Sequence, residues 1–253
     1  MDGAVHPPEP WRLRGAGWAT AWLVDAAALP ALPAPVEPVA VLGKAVVATA
    51  FADYRPGGVL VYRELLAAVL VRQGARLGLS STHAWVDSHT SRAGGRALWG
   101  IPKEMARFEL TGRPRFAAAA RDGSGVIAAA RLARPPRWGV PVRAGASMWQ
   151  DVPGGTVRTP VRVRGSVALA RVRWRVEPSG PLGLAAGRAS AVRGRPHRLP
   201  VAVRSPLGAA GGWVTREEPL VAQAVRHSGP VTAPADRWIS RSGPGWSWRG
   251  VRA

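Results

Sequence analysis

The apolar segments of this chain are short and are interrupted again and again by turn residues. Val46–Phe51 has the pattern of a strand, Asp53–Gly58 has the residues of a turn, and Val59–Tyr62 resumes the extended pattern. Leu65–Val71 is an apolar run that fits a strand or a helix, and its place after a hairpin favours a strand. The pattern predicts a mainly β fold, a β-rich α+β class with antiparallel strands.

Further strand-like segments show the same alternation of apolar and polar residues. They are Trp11–Val24, Arg107–Leu110, Val126–Leu132, Val161–Arg164 and Val167–Val176. In the last segment arginine occupies every second position, at Arg171, Arg173 and Arg175. A period of two with one charged face is typical of a half-buried antiparallel strand whose charged side chains face solvent.

One helix is predicted between residues 88 and 99. Asp87 or Ser88 supplies the short polar side chain that caps a first helical turn. Gly100 suits the position after a helix, and Pro102 cannot continue one. Lys103 would then lie just beyond a rigid turn, at the start of the next extended segment, which suits a catalytic group.

Composition restricts the chemistry that is available. The chain has 253 residues, of which 47% are hydrophobic, enough for a sizeable core. It has no cysteine, so disulfides, thiolate metal sites and thiol catalysis are excluded. Its first residues lack the layout of a secretory signal, and no apolar window is long enough to span a membrane. We expect a cytoplasmic protein that uses no metal or other cofactor.

The positive charge is concentrated in the second part of the chain. The net charge is +20, and residues 111–253, with 24 basic and 6 acidic residues, carry +18 of it. Such a block can bind a polyanion such as nucleic acid, although solvent-facing arginines are the simpler explanation. We expect one domain over residues 1–208, followed by a poorly ordered tail, 209–253, rich in Gly, Pro, Arg and Trp.

Lysine is nearly absent from the chain. Only Lys44 and Lys103 occur, against 33 arginines. Where charge alone is needed, arginine can replace lysine, but only an amine can lose its proton and attack a carbonyl carbon. Lys103, in the most organised stretch of the sequence, is therefore the leading candidate for a nucleophile.

Imine formation requires the neutral amine, which an apolar pocket or a neighbouring cation favours. The candidate pocket walls are Trp99, Ile101, Met105 and Phe108, and the candidate cation is Arg96. Glu104 would oppose this if its carboxylate faced the amine. Because adjacent side chains of an extended segment point to opposite sides, we expect Glu104 to point away from Lys103.

The same stretch resembles the signature of a known family. Gly95-Arg96 and Pro102-Lys103, with Asp87 sixteen residues before the lysine, are similar to the acetoacetate decarboxylase family. Three further motifs agree with that resemblance: Tyr62-x-Glu64, Pro10-Trp11 and Gly180-Pro181-Leu182. The resemblance covers about residues 8–207.

The resemblance implies a β-rich, barrel-like domain with a few short helices, whose interior lysine forms an imine with a keto acid. By that resemblance Lys103 is the Schiff-base lysine and Glu64 the pocket carboxylate. Arg96 belongs to the structural support of the motif or to an anion-binding wall, and Tyr62 and Trp99 complete the candidate substrate-binding residues. Members of the family tend to be homo-oligomers, so we expect one here.

The chain departs from the family pattern at three positions. The decarboxylases carry a second lysine directly after the imine lysine, where this chain has Glu104. The arginine of the family's first strand falls on Ala16, and its other pocket glutamate falls on about Thr49. Two groups that handle the substrate carboxylate would then be missing, which favours an aldolase- or dehydratase-like relative over an acetoacetate decarboxylase.

Three functions remain open. The first is a lysine-imine lyase acting on a small 2- or 3-oxo acid, either decarboxylase-like or aldolase/dehydratase-like. The second is a non-catalytic small-molecule-binding or structural member of the same fold, and the third is a polyanion-binding protein. A triad or metal cluster built from His83, Asp87, Ser88 and His89 fits no ligand spacing, and Asp87 is better used as a helix cap.

Overall fold

A computed structural model describes residues 5–111, 116–132, 139–168, 172–186, 198–204 and 220–222. Within these residues lie two helices, α1 (His89–Trp99) and α2 (Gly183–Ala186), and a 3-10 turn at Ala26–Ala28. The strands are β1 (Trp11–Leu13), β2 (Gly15–Asp25), β3 (Glu37–Pro38), β4 (Ala40–Val41), β5 (Lys44–Tyr54), β6 (Tyr62–Gln73), β7 (Arg76–Val86), β8 (Lys103–Met105), β9 (Arg107–Thr111), β10 (Ala117–Asp122), β11 (Gly125–Leu132), β12 (Val140–Val152), β13 (Gly155–Ala168), β14 (Val172–Val176), β15 (Arg198–Arg204) and β16 (Leu220–Ala222). The prediction of a mainly β fold with few short helices is confirmed.

The described strands form a large and a small sheet. The large sheet has the order β1-β16-β13-β12-β7-β6-β5-β2-β15, with β3, β4 and β8 attached to β6, β5 and β7. In addition, β15 bonds to both β2 and β13. The small sheet has the order β14-β11-β10-β9.

The large sheet is not antiparallel throughout, which corrects the prediction. β7 runs parallel to both β8 and β12. Neighbouring parallel strands need a crossover connection, and α1 supplies it between β7 and β8. The crossover places Lys103, the first residue of β8, directly opposite Ala84 of β7.

The central strands of the large sheet are buried on both faces. Leu65 pairs with Phe51 and Trp85, so these side chains share one face, which we call the core face. Glu64 pairs with Val86, and it shares the opposite face, the helix face, with Lys103. Burial on both faces explains why Leu65–Val71 is a continuous apolar run although it is a strand.

The small sheet covers the core face. The main cluster joins residues of both sheets: Phe51, Leu65 and Trp85 from the large sheet and Ala118, Ala120, Ile127, Ala128, Ala130, Leu132, Val172 and Val176 from the small sheet. Trp174 of β14 stacks on Phe51, with ring centroids 5.3 Å apart, and its indole nitrogen donates to Thr20 Oγ1 at 2.8 Å. This tryptophan therefore ties the two sheets together.

The predicted helix is confirmed, and its ends follow from capping. Ser88 is the N-cap, and its Oγ accepts a hydrogen bond from the backbone N–H of Ser91 at 3.2 Å. Gly100 ends the helix with φ of 65°, a left-handed conformation that favours glycine. Asp87 is not the cap, because its Oδ1 accepts the backbone N–H of Arg63 instead.

Two strand predictions need correction. Residues 59–61 are not part of a strand, because β6 begins at Tyr62. Residues 167–176 are not one strand, because Val167 and Ala168 end β13 in the large sheet whereas Val172–Val176 form β14 in the small one. As predicted, Arg173 and Arg175 of β14 are exposed.

Most of the predicted tail, 209–253, lies outside the described residues. From that range the structure describes β16, which pairs with β1 and β13. The boundary at residue 208 therefore stays a prediction. Among the described residues, no helix is both long and apolar enough to cross a membrane.

The link between the sheets gives the first testable prediction. Trp174→Ala removes the stacking on Phe51 and leaves the buried hydroxyl of Thr20 without its donor. Because Trp174 is only partly buried, we expect the free energy of unfolding to fall by about 3 kcal/mol, the lower end of the cost of truncating a core tryptophan. Urea titration followed by circular dichroism measures it. Arg173→Ala on the same strand should change it by less than about 0.5 kcal/mol, and equal losses in both variants would contradict this account.

Candidate active site

The turn after α1 fixes the backbone of Lys103. The N–H of Gly100 donates to the carbonyl of Arg96 at 3.0 Å, and the N–H of Ile101 donates to that of Gly95 at 3.1 Å. The chain then enters β8, where pairing with Ala84 turns the Lys103 side chain toward the helix face. Sequence analysis placed Lys103 correctly at this junction.

The amine of Lys103 is buried and fully bonded. The residue is 2% exposed. Its Nζ lies 3.0 Å from Oε1 of Glu64 and donates to Oγ of Ser91 at 3.0 Å and to the hydroxyl of Tyr62 at 3.3 Å. An ammonium group has three N–H donors, and each has an acceptor here.

Glu64 and Tyr62 reach the amine because they lie two residues apart on β6. Side chains at i and i+2 of a strand project from the same face. The Tyr62 hydroxyl donates to Oε2 of Glu64 at 3.5 Å, so the two carboxylate oxygens have different partners. The Tyr62 ring also lies beneath the cation, with its centroid 4.9 Å from Nζ. The Tyr62-x-Glu64 motif is thereby brought together with Lys103.

Helix α1 closes the site from the other side. Ser91 is fully buried and faces the amine, and Gly95 follows it one turn later. A Cβ on Gly95 would lie 2.6 Å from Cδ and 2.8 Å from Cε of Lys103. Only glycine leaves room for the lysine stem, which explains why the Gly95-Arg96 motif has glycine at its first position.

Arg96 and Glu104 lie on the outer side of this junction. The Arg96 Nε donates to the backbone carbonyl of Lys103 at 2.6 Å, and its guanidinium forms a salt bridge with Glu104. The Glu104 side chain is 59% exposed, so the prediction that it points away from the amine is confirmed. These contacts suit a supporting role for Arg96, while its anion-binding role stays a prediction.

Trp99 is buried, but none of the contacts described joins it to the amine. Its ring packs edge-on against Trp11 with centroids 4.7 Å apart, and its indole N–H has no acceptor among the described residues. Its substrate-binding role stays a prediction. Phe108, expected as a pocket wall, packs instead against Phe51 on the core face.

The two positions thought to have lost a polar group do not face the amine. Ala16 pairs with Asp53, and Thr49 pairs with Ala67. Across the paired strands, both positions lie an odd number of residues from those that share a face with Glu64. They therefore project to the core face rather than the helix face. Thr49 Oγ1 accepts the indole N–H of Trp22 at 2.8 Å. Thr49 therefore does not share the face of Glu64, and its correspondence to the family's other pocket glutamate stays a prediction.

Two residues of the site were missed by sequence analysis. Ser91 lies four residues before Gly95 on a predicted helix, and that spacing could have placed it on the same face. Tyr54 lies directly opposite Tyr62 across the β5–β6 pair, with ring centroids 4.6 Å apart. That contact depends on the register of the hairpin, which the sequence did not fix.

Other candidate residues are used elsewhere. The His83 ring stacks on Trp85 at 5.6 Å, and burial lowers the pKa of this histidine. Asp87 forms a salt bridge with Arg63 at 3.5 Å, and Ser88 caps α1. Among the described residues, no three His, Asp or Glu side chains are grouped as metal ligands.

Both tyrosines of the chain belong to this site, and both resist ionisation. Burial, followed by the negative charge of Glu64, raises the pKa of Tyr62 well above its usual value of 10.0. The same causes in the same order raise the pKa of Tyr54. The phenols therefore stay neutral hydrogen-bond donors over the physiological range.

This leads to a prediction about alkaline pH. A raised pKa means that the native state retains protons that the unfolded chain releases, so the stabilisation is present below pH 10.0 and is lost as the pH rises above it. Because the chain contains two tyrosines, ultraviolet titration of phenolate absorbance reports on them alone. We expect no phenolate in the folded protein at pH 10.

Glu64→Gln removes the charge that contributes to both shifts, so phenolate should appear at lower pH in this variant. Glu104→Gln, at an exposed glutamate, is the matched control and should titrate as the wild type does. A full phenolate signal from folded wild-type protein near pH 10 would contradict the assignment.

Comparison with known proteins places this chain in a family. A family model described as acetoacetate decarboxylase matches residues 3–192. A search of curated proteins finds no match. Among solved structures, acetoacetate decarboxylase from Legionella pneumophila is 17% identical with a TM-score of 0.58, over 88% of this chain and 89% of that chain.

Two further structures have the same fold. The enduracididine biosynthesis enzyme MppR, complexed with pyruvate, is 17% identical with a TM-score of 0.52, over 80% of this chain and 87% of that chain. An acetoacetate decarboxylase-like enzyme from Sphingomonas wittichii is 15% identical with a TM-score of 0.53, over 78% and 87% of the two chains. Because the family model covers most of its length, the chain belongs to the acetoacetate decarboxylase family.

Proposed function

We propose that the protein is a lysine-imine lyase in which the Nζ of Lys103 condenses with the carbonyl carbon of a small 2- or 3-oxo acid. The observation that carries the proposal is the burial of Lys103 against Glu64, with 3.0 Å between amine and carboxylate. A buried amine with an acid–base partner at hydrogen-bond distance is the arrangement that imine catalysis requires.

The pair can produce the neutral amine without water. Burial penalises the charged forms of both side chains, and transfer of one proton across the 3.0 Å contact removes both charges together. The neutral amine can then attack, while the protonated Glu64 can donate to the carbonyl oxygen. Glu64 would thus be both the base that frees the amine and the acid that completes the addition.

Relatives support a small oxo acid as the substrate. MppR has been determined as a complex with pyruvate, a 2-oxo acid. Decarboxylation and aldol- or dehydration-type lyase chemistry both begin with the same imine, which then draws electrons from the neighbouring carbon. The outward-facing Glu104, where the decarboxylases carry lysine, favours the aldolase- or dehydratase-like branch.

A non-catalytic binding or structural role is the second candidate, and one observation favours it. All three donors of the Lys103 ammonium are already engaged by Glu64, Ser91 and Tyr62, as in a purely structural ion pair. On the other hand, Lys103 neither faces solvent nor pairs with Glu104, and either feature would favour a lysine without a catalytic role. Polyanion binding by the basic half of the chain stays a prediction.

We also infer that the large sheet is barrel-like. The strand β15 supports this, because it bonds to β2 along Arg198–Val201 and to β13 along Ala202–Arg204. It thereby links two strands that lie at opposite ends of the series β13-β12-β7-β6-β5-β2. A homo-oligomeric, cytoplasmic protein remains our expectation.

The proposal is tested by trapping the imine. The protein is incubated with a panel of small 2- and 3-oxo acids, pyruvate included, and reduced with borohydride, and the modified peptide is identified by mass spectrometry. We expect a reduced adduct on Lys103 and none on Lys44, which is exposed and paired with Asp25.

Three variants sharpen the result. Lys103→Arg should abolish trapping because a guanidinium does not form the imine, whereas Lys44→Arg should leave it unchanged. Glu64→Gln should slow adduct formation by about 100-fold, the usual size of a general acid–base contribution. If no oxo acid modifies Lys103 in the wild type, a lyase acting on small 2- or 3-oxo acids is excluded and the non-catalytic role is favoured.

A further inference from the structure

The hydrogen bonds around Lys103 form two separate connections to the same carboxylate. One is direct, from Nζ to Oε1 of Glu64 over 3.0 Å. The other is indirect, from Nζ to the hydroxyl of Tyr62 over 3.3 Å and from that hydroxyl to Oε2 of Glu64 over 3.5 Å. A substrate that attaches to Nζ and bonds to Oε1 would interrupt the direct connection and leave the indirect one intact.

We propose that Tyr62 relays a proton from the amine of Lys103 to Oε2 of Glu64, and that Ser91 is the positioning residue that holds the amine at the start of this relay. The inference rests on the imine chemistry proposed above and assigns the proton path that serves it. All four residues are at most 6% exposed, so bulk water does not compete with the relay.

The relay accounts for every proton that moves in the first step of imine formation. The amine nitrogen bonds to the carbonyl carbon, and the π electrons of the C=O bond move to oxygen. Nitrogen gives one proton to Tyr62 while Tyr62 gives its hydroxyl proton to Oε2. The protonated Glu64 gives the proton on Oε1 to the substrate oxygen. The carboxyl group ends with one proton, as it began, and the product is a neutral carbinolamine.

The second step uses the proton that the relay delivered. The C–O bond breaks, Glu64 gives its proton to the departing hydroxyl, and water leaves. The electron pair of nitrogen forms the C=N bond, which leaves an iminium ion beside the Glu64 carboxylate. Tyr62 ends both steps as a neutral phenol, which agrees with the raised pKa that burial gives this tyrosine.

Ser91 fixes the geometry without being consumed. Its Oγ accepts an N–H of Lys103 at 3.0 Å, and it is held by the first turns of α1, where the backbone N–H of Ser91 bonds to the N-cap Ser88. With one N–H anchored on Ser91 and another directed at Tyr62, rotation about the last bond of the lysine stem is restricted.

Reductive methylation with formaldehyde and cyanoborohydride tests the relay independently of the natural substrate. Formaldehyde is a small carbonyl compound, and mass spectrometry gives separate labelling rates for the two lysines. Lys44 is exposed and serves as a reference within the same molecule. Tyr62→Phe keeps the ring and removes only the hydroxyl. We expect it to lower the ratio of the Lys103 rate to the Lys44 rate by about tenfold or more.

Ser91→Ala should lower the same ratio, and His89→Ala, at an exposed position of α1, should leave it unchanged. A plot of the wild-type labelling rate at Lys103 against the fraction of deuterium in the solvent should also fall along a curve rather than a straight line, because two protons move together. In Tyr62→Phe the dependence should become linear. This isotope measurement on the wild type decides the matter if a variant fails to fold.

The relay is overturned if Tyr62→Phe keeps the ratio within about twofold of wild type, or if the deuterium dependence of the wild-type rate is linear. A Lys103 that formaldehyde does not label also overturns it, because no reactive amine is then present. Labelling of Lys103 by formaldehyde, without any adduct from oxo acids, would keep the relay and reject the proposed substrate class.

Discussion

The structure around the site depends on one buried ion pair, between Lys103 and Glu64. Desolvation makes such a pair costly unless its remaining hydrogen-bonding groups are satisfied. Tyr62 and Ser91 satisfy these groups. Three elements contribute to the site: β6 supplies the carboxylate and the phenol, α1 the hydroxyl and β8 the amine. The pair therefore requires the β7–α1–β8 crossover and the close packing of α1 that Gly95 permits.

The same pair connects the fold to the chemistry. The central strands of the large sheet are buried on both faces, so they separate the hydrophobic core beneath the small sheet from a polar, water-poor site on the helix face. The small sheet, through its Trp174, stabilises the hydrophobic core, while α1 encloses the polar site. This arrangement keeps the amine of Lys103 out of water.

Much of this could be predicted from local sequence. The limits of α1 follow from Ser88 and Gly100, and the orientation of Glu104 follows from strand alternation. The parallel pairing of β7 was missed because it depends on a crossover rather than on periodicity. The core-face position of Thr49 could not be predicted, because side-chain direction changes with every residue of a strand and a distance counted along the chain does not fix it.

Titration of protein labelled with ζ-15N lysine is the most direct test of whether the buried amine reacts. The chain has two lysines, so its nitrogen spectrum contains one signal from the site and one from the surface. On addition of small 2- and 3-oxo acids, the account predicts that at least one of them moves the Lys103 signal to the imine range while the Lys44 signal stays in place. A spectrum in which both signals remain unchanged with every acid would contradict it.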